Sequence, residues 1–441
     1  MDIGLMIDSD YRAGQTHWQA CDAVLTTADQ AETLGFDSLW LAERHFSPPG
    51  SAALVPSIGS APLLLATAIA MRTSRIRLGT AVLLLPLGHP VRLAEEVATL
   101  DQLSQGRLHL GIGRSSFPRA YEGYGIPYAE SRARFQEYLD IMRLAWTQPQ
   151  FSYTGTFYTM RDVEVLPKPW QHPHPPLHQA AATRETFAAV GTMGLGLLVA
   201  LIGTPMAELA SVIAVYQAAW QAAGHPGQGE VRLRLPLYVA ETQEQAQADP
   251  RPSVLPYYER LRQGYLRSAQ QFESAERTAR AAQLASLTYE ELLQERVVFG
   301  TPTDVVARLR TVQRALGLSG FIIEPNVGGG IIGAYLDSSD QHGLPVEWCC
   351  ETITTILRRT PCWSRAMIPA VWSSAKPLPS WKMPGRQRSC RVCPLTSPSR
   401  PALSRPFSGC EAWRLRPTSC GASWPMSWGR CPHGAWAPGP S

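Results

Sequence analysis

The feature that most constrains the fold of this chain is the alternation of two hydrophobic patterns along its first 330 residues. Short apolar runs rich in β-branched residues alternate with longer amphipathic runs, which is typical of βα units around a parallel sheet. The short runs predict strands at Ile3–Ile7, Ser38–Ala42, Ile76–Leu84, Leu108–Gly111, Leu177–Ala181, Gly196–Leu201, Val231–Val239 and Phe321–Glu324. The longer runs predict helices at Trp18–Leu34, Pro62–Arg72, Val91–Leu103, Arg132–Trp146, Glu185–Thr192, Pro205–Ala223, Tyr257–Leu284 (broken) and Thr303–Leu316.

Eight strands with intervening helices are the count that closes a (β/α)8 barrel, the TIM-barrel fold. The alternative is an open, doubly wound sheet, which usually carries a glycine-rich phosphate loop after its first strand. Residues 8–11 read Asp-Ser-Asp-Tyr and contain no glycine. We therefore predict an α/β barrel over residues 1–335, with an inserted hairpin at Phe151–Val165 that turns at Thr154–Gly155.

Helix ends carry further signals. Thr204 and Thr301 each precede a proline and are predicted to cap a helix N-terminus. Glycines follow four predicted helices, where a left-handed residue is favoured: Gly35, Gly106, Gly194 and Gly317.

The last part of the chain, residues 336–441, has a different composition. Residues 341–441 hold 11 Arg and 2 Lys but 3 acidic residues, and eight of the nine cysteines lie there. From residue 360 onward Pro, Ser, Arg, Trp and Cys follow no helical or strand period. We interpret this as out-of-frame translation of a GC-rich gene and expect a disordered, functionless tail that lacks the helix needed to close the barrel.

Two other interpretations of the tail stay open. Cys390 and Cys393 form a C-x2-C pair that could bind zinc with Cys410 and Cys420, although no second C-x2-C follows. The arginines could also form a basic arm for nucleic acid or membrane, although they are scattered rather than clustered.

Composition limits the function classes. The chain is 45% hydrophobic and 17% charged, which is typical of globular proteins. Residues 1–340 carry a net charge of −6, which argues against a nucleic-acid-binding domain. No basic segment followed by an apolar stretch opens the chain, and no apolar run is long enough to span a membrane. We expect a cytoplasmic protein without a metal site.

Candidate site residues follow the predicted strands, because barrel active sites lie at the carboxyl ends of the strands. The second strand ends in Glu43, Arg44 and His45. His45 is a candidate proton donor or acceptor near neutral pH, with Glu43 beside it. The alternative is structural: Glu43 and Arg44 pair with each other, and His45 caps a helix.

A second set of residues is suited to an anion. The fourth strand ends in Gly111-Ile-Gly-Arg114, whose glycines would admit a ligand and whose arginine suits phosphate. Thr183 and Thr186 open a helix whose N-terminus could hold an anion, or they simply cap it. Arg132 would add a second positive charge. Together these residues predict a phosphorylated cofactor across one end of the barrel.

Several of these segments resemble a known family. The run GFDSLWLAERHF at Gly35–Phe46 is similar to a conserved block of bacterial luciferase and its relatives. Further similar blocks are Gly79–Val82, His89–Glu95, Leu100–Arg107, Gly111–Arg114 and Asn326–Gly330. The resemblance covers most of residues 1–330 and implies a (β/α)8 barrel of the luciferase-like monooxygenase family.

The resemblance also implies a chemistry. Members bind reduced FMN supplied by a separate flavin reductase, form a flavin C4a-hydroperoxide with O2 and insert one oxygen into a small organic substrate. It implies that Arg114 and Arg132 hold the flavin phosphate with help from Thr183 and Thr186. A cis peptide bond at Ala81-Val82 would support the isoalloxazine. A homodimer is also implied.

The sequence departs from luciferase itself in two places. Luciferases carry their catalytic histidine where this chain has Arg44, which leaves His45 alone, and a reactive cysteine where it has Gly113. Light emission with an aldehyde is therefore not expected. Two alternatives to the monooxygenase are an oxidoreductase that uses the deazaflavin F420 and a non-catalytic or degraded flavin-binding barrel.

Overall fold

The computed structural model describes residues 1–9, 15–46, 57–115, 118–202, 204–272 and 275–325. The predicted tail at 336–441, the domain boundary near residue 335, the missing closing helix, the cysteine pairs and the Asn326–Gly330 block lie outside these residues.

Twelve strands and twelve α-helices make up the described part of the chain. The strands are β1 Asp2–Ile7, β2 Ser38–Leu41, β3 Arg77–Thr80, β4 Leu83–Leu84, β5 Leu108–Gly113, β6 Phe151–Thr154, β7 Thr159–Val163, β8 Leu177–Ala180, β9 Gly196–Ala200, β10 Val231–Val239, β11 Val298–Gly300 and β12 Gly320–Glu324. The α-helices are α1 His17–Leu34, α2 Pro62–Arg72, α3 Pro90–Ser104, α4 Pro118–Gly123, α5 Ser131–Thr147, α6 Arg184–Thr192, α7 Met206–Ala222, α8 Gln243–Ala248, α9 Arg251–Phe272, α10 Ala275–Ala285, α11 Tyr289–Glu295 and α12 Pro302–Leu316. Two 3-10 turns, η1 Leu85–Leu87 and η2 Tyr128–Glu130, complete the order.

Eight parallel strands form a closed barrel in the order β1, β2, β3, β5, β8, β9, β10 and β12. The ring closes because β9 pairs with β10 and β12 pairs with β1, where Gly320 lies opposite Asp2. This closure confirms the predicted (β/α)8 barrel and excludes the open sheet. All eight predicted strands and all eight predicted helices are present, with ends that differ by a few residues.

The predicted third strand differs from the prediction in one respect. It is interrupted at Ala81 and Val82, so that β3 pairs with the start of β5 and the short β4 pairs with its end. The Ala81-Val82 peptide bond is cis, as the resemblance implied. Thr80 spans the gap, because its hydroxyl donates to the Gly111 carbonyl at 2.8 Å and accepts from the Gly111 N–H at 3.0 Å.

The helix-end signals are confirmed at five of six positions. The four glycines all have positive φ, between +62° and +85°. Thr301 accepts a hydrogen bond from the N–H of Asp304 at 3.4 Å and caps α12. The prediction for Thr204 was wrong, because the N-cap position of α7 is occupied by Pro205 and no side chain caps that helix.

Two insertions decorate the barrel. The predicted hairpin is present as the antiparallel pair β6–β7, with Gly155 in its turn. A second insertion, α8–α11 with β11, follows β10 and has its own apolar cluster, which includes Tyr238, Val254 and Leu292. The sequence predicted only one broken helix there. Within the described residues, no helix is long and apolar enough to cross a bilayer.

The inside of the barrel is layered. At its amino-terminal end lies a polar layer that we call the barrel floor: Asp2, Ser38, Trp40, His109, His178, Glu230 and Arg232. Trp40 is fully buried at its centre. An added Cβ at Gly79 would lie 2.3 Å from the Trp40 ring, so glycine is required there for the indole to fit. Above the indole, Met6, Leu198 and Ile322 form an apolar layer on which Ala81 and Val82 rest.

Polar contacts tie the floor together. The Trp40 indole N–H donates to Ser38 at 3.0 Å, and the Ser38 hydroxyl donates to Asp2 at 2.6 Å. Arg232 also binds Asp2, at 2.8 Å. The His178 ring lies 3.0 Å from the Glu230 carboxylate and stacks on His109 with 5.7 Å between ring centroids.

Candidate active site at the barrel mouth

The opposite, carboxyl-terminal end of the barrel, which we call the barrel mouth, gathers all the predicted site residues. Parallel strands bring their carboxyl ends together at one end, and the loops after β2, β3, β5 and β8 carry these residues. Two groups form there: a histidine group at the end of β2, and a cationic group between β5, α5 and α6.

His45 and Glu43 form the centre of the histidine group. The His45 Nε2 lies 2.7 Å from Glu43 Oε1, and both side chains are largely buried. The second Glu43 oxygen accepts the backbone N–H of Leu84 at 2.8 Å. Because Leu84 lies two residues after the cis bond, Glu43 couples the histidine to the Ala81-Val82 segment.

The structure decides between the two interpretations of Arg44. Arg44 pairs with Asp8 at 2.7 Å, not with Glu43, and Glu43 is occupied by His45 and Leu84. The imidazole of His45 caps no helix: its ring nitrogens face Glu43 and the hydroxyl of Tyr124. The structural alternative for this strand end was therefore wrong in both of its parts.

Asp8 and Arg44 belong to a larger buried charge network that the sequence analysis missed. Arg234 of β10 binds Asp8 at 2.9 Å and Glu324 of β12 at 2.7 Å. Burial acts to raise the pKa of Asp8, but the charges of Arg234 and Arg44 outweigh it and lower that pKa. Burial, together with the charge of Asp8, raises the pKa of Glu324 against the opposing effect of Arg234. One signal in the sequence could have revealed this network: charged residues lie inside or just after apolar strands.

The cationic group lies around the N-termini of α5 and α6. An Arg114 Nη1 donates to the Ser131 hydroxyl at 3.0 Å, which holds the guanidinium beside the first turn of α5. Arg132, in the same turn, forms an ion pair with Glu185 of α6. The hydrogen bond and charge of Arg132, and also the charge of Arg114, lower the pKa of Glu185. Both arginines therefore lie within electrostatic range of the start of α6.

Thr183 and Thr186 cap α6. The N–H of Thr186 donates to the Thr183 hydroxyl at 3.3 Å, and the two hydroxyls lie 2.9 Å apart. The structure thus confirms the capping interpretation. It is compatible with an anion at this end, because helix N-termini bind anions through their remaining N–H groups.

The two glycines at the end of β5, Gly111 and Gly113, do not have the role that the sequence suggested. A Cβ at Gly111 would lie 1.9 Å from the Thr80 carbonyl oxygen, and one at Gly113 would lie 2.6 Å from a methyl of Val82. These glycines admit the neighbouring segment rather than a ligand. They let the Ala81-Val82 bond pack closely between β5 and the apolar layer.

Comparisons with known proteins identify the family. A sequence profile of luciferase-like monooxygenases matches residues 1–319. The oxygenase component of flavin-dependent trigonelline monooxygenase from Acinetobacter baylyi is 26% identical over 235 residues, covering 53% of this chain and 63% of that protein. The 4-hydroxyprotoasukamycin monooxygenase of Streptomyces nodosus subsp. asukaensis is 29% identical over 330 residues, covering 73% and 82%.

The fold recurs in solved structures. The oxygenating constituent of 3,6-diketocamphane monooxygenase from Pseudomonas putida, solved with FMN, superimposes with a TM-score of 0.64 at 22% identity, covering 80% of this chain and 97% of that one. The chain spans about half the length, 48% and 51%, of two curated relatives from Sinorhizobium fredii that are 39% and 34% identical. With a family profile matched over most of the barrel, the chain belongs to the luciferase-like monooxygenase family.

Proposed function

We propose that this protein is the oxygenase of a two-component system that uses reduced FMN and O2 to insert one oxygen atom into a small organic substrate. The observation that carries the proposal is the convergence of three features on the barrel mouth. These are the Glu43–His45 pair, the Ala81-Val82 segment and the cationic group with Arg114 and Arg132.

The cationic group fits the phosphate of FMN. Two arginines and two helix N-termini concentrate positive charge, and an arginine in the first turn of a helix is electrostatically unfavourable without an anion. Glu185 supplies one anion at present, but its side chain and that of Arg132 are well exposed. Exposed ion pairs contribute little, so a phosphate can replace Glu185 at small cost.

The remaining residues would serve the flavin ring and the proton. Ala81 and Val82 lie on the apolar layer above Trp40, which offers a flat apolar support for the isoalloxazine. Bound reduced FMN would supply the electrons that activate O2. Glu43 and His45 would hold or move a proton beside it, since a carboxylate fixes the imidazole in one tautomer.

The partners follow from the proposed chemistry. A flavin reductase would supply FMNH2, in keeping with the relative that is named as an oxygenase component. We also propose a homodimer through α1 and α2. The large apolar side chains of Trp18, Leu64 and Met71 are 61–73% exposed there, and a second copy of the chain would cover them. Sedimentation of Leu64→Glu, expected to be monomeric, tests the dimer.

The test of the function is an anaerobic complex of photoreduced FMN with the protein, mixed rapidly with O2. A delayed return of oxidised-flavin absorbance, relative to free FMN and to Arg114→Ala, supports the proposal. Oxidation at the free-flavin rate contradicts it. Titration with F420 then distinguishes the deazaflavin enzyme, and flavin binding without oxygen transfer to any substrate distinguishes the degraded barrel.

A further inference from the structure

Tyr124, which follows α4, contacts His45 on the side opposite Glu43. Its hydroxyl lies 3.3 Å from His45 Nδ1, and the two rings meet edge to face with 5.1 Å between centroids. The sequence analysis did not single out this tyrosine, because it follows no strand. The Glu43–His45 pair is thus one part of a longer chain of hydrogen bonds.

Both ring nitrogens of His45 are occupied in this arrangement. A carboxylate oxygen can only accept, so a hydrogen bond to Glu43 requires the proton on Nε2 and leaves Nδ1 as the acceptor for the Tyr124 hydroxyl. The His45 side chain is 6% exposed, whereas Tyr124 is 46% exposed. Tyr124 is therefore the most exposed member of this chain of hydrogen bonds.

The protonation of Tyr124 suits the role of a donor. Burial, and then the negative charge of Glu43, raise the pKa of Tyr124 above its ordinary value of 10.0. The phenol is therefore protonated throughout the neutral range and can donate to the imidazole.

The backbone around Tyr124 holds it in place. Arg119 of α4 donates through Nε to the Phe46 carbonyl at 3.0 Å, and the Phe46 ring packs on Gly123, where an added Cβ would lie 2.3 Å away. Phe46 also contacts the Tyr124 ring, with 5.4 Å between centroids. The α4 segment is thus fastened to the end of β2 at three points, which fixes the distance between the hydroxyl and His45.

We infer that Tyr124 is the positioning residue for His45 and the route by which that imidazole exchanges protons with solvent. In the step, a solvent hydronium ion gives a proton to the phenol oxygen as the phenolic O–H bond breaks and its own proton moves to Nδ1, which leaves a water molecule, an intact phenol and a protonated imidazole. One solvent proton is thereby placed on the imidazole. The reverse sequence removes it. The inference rests on the proposed function only in giving His45 a catalytic proton to exchange.

The contact is tested first in the resting protein. Histidine is labelled with 15N, and the His45 ring signals are assigned by their loss in His45→Gln. Tyr124→Phe removes the hydroxyl and keeps the ring. The matched control is Tyr153→Phe on the hairpin, far along the chain from the site. We expect the Nδ1 resonance to move in Tyr124→Phe, as for a nitrogen that has lost a donor, and to stay unchanged in the control.

The proton route is tested in the reaction. Tyr124→Phe should bind reduced FMN as the wild type does, because Tyr124 lies outside the cationic group. It should slow oxygen transfer by at least about tenfold, as expected for an impaired proton transfer. An unchanged Nδ1 resonance overturns the inference, and so does a shifted resonance with a wild-type rate. If no variant activates O2, the proposed function fails, while the resonance still decides whether Tyr124 positions His45.

Discussion

The floor and the mouth of the barrel contain the same kinds of side chain in different settings. Each end has histidine, arginine and carboxylate groups. On the floor, Trp40, His178 and Arg232 are 0–4% exposed, while the Glu230 side chain that pairs with His178 is 55% exposed. At the mouth, the side chains of Arg132 and Glu185 are 61% and 70% exposed and pair with each other. Under the proposed function, a phosphate would displace Glu185 from Arg132.

The difference shows that residue type alone does not mark a functional site. A histidine beside a carboxylate occurs at both ends: His178 with Glu230, and His45 with Glu43. The floor histidine, His178, packs against Trp40 and His109, whereas the mouth pair is linked to a half-exposed tyrosine. Strand polarity places the mouth pair at the end where barrel active sites lie, and on this ground we propose chemistry for the mouth and stability for the floor.

The largest expected effect concerns the floor. Trp40→Ala should lower the free energy of unfolding by about 3–5 kcal/mol, because it empties the centre of a packed interior. Urea unfolding followed by circular dichroism measures this. Arg114→Ala, at the mouth, should change it by less than about 0.5 kcal/mol. Equal losses in the two variants would contradict the division between the ends.

The second prediction is a pH dependence of the floor. Burial, then the charges of His178 and Arg232, lower the pKa of His109 from 6.5 to about 3. Above pH 6.5 the His109 ring is neutral in both the folded and the unfolded protein, so it does not reduce the free energy of unfolding. Below pH 6.5 the unfolded chain binds a proton that the folded chain excludes. From pH 6.5 to 4.5 this should cost about 2–3 kcal/mol.

The His109 effect is isolated with His109→Gln, which cannot titrate. Urea midpoints of this variant should fall less steeply between pH 6.5 and 4.5 than those of the wild type. The range stops at pH 4.5 to avoid Glu230, whose pKa the hydrogen bond from His178 lowers to about 2. Parallel pH curves for the two proteins would show that His109 does not contribute.

The third prediction concerns the mouth. Arg114→Ala should weaken the binding of reduced FMN about 30-fold, since a charge-assisted hydrogen bond to phosphate contributes about 2 kcal/mol. Riboflavin, which lacks the phosphate, should bind both proteins equally. Arg92→Ala on α3, in an exposed pair with Glu96, is the matched control. An equal loss for riboflavin would indicate that Arg114 does not face the phosphate.

The smallest effect has the opposite sign. Glu185→Gln removes the carboxylate that competes for Arg132, so FMN should bind two- to fivefold more tightly, as expected when an exposed ion pair of at most about 1 kcal/mol is lost. Isothermal titration with FMN and with riboflavin separates an effect on phosphate binding from a general change in flavin affinity. Weaker binding of FMN would mean that Glu185 supports the site rather than competing for it.

Much of the fold could be predicted from local patterns. The period of apolar residues identified the eight barrel strands, and the glycines after the helices marked their ends. The insertion α8–α11 was only partly foreseen. The helix was predicted to begin at Tyr257, yet α9 starts at Arg251 and contains Pro256. Packing against the apolar cluster that includes Tyr238, Val254 and Leu292 stabilises the helix across Pro256.

The site residues were nominated from strand ends and family blocks, whereas their partners came from the structure. Asp8, Arg234 and Glu324 are separated by up to 316 residues along the chain, and no local pattern connects them. Gly111 and Gly113 gave a misleading signal. In sequence, a glycine needed for a neighbouring strand looks the same as one needed for a ligand.

The sequence by itself determined the barrel, the strand ends that meet at its mouth and the residue types available there. These depend on hydrophobic periodicity and on strand direction, which are written locally along the chain. Only the tertiary structure decided that Arg44 binds Asp8, that Glu43 binds His45 and Leu84, and that Tyr124 reaches the imidazole. Hydrogen bonds are formed over about 3 Å between residues that the closing of the barrel brings together, and that distance is not encoded in any local pattern.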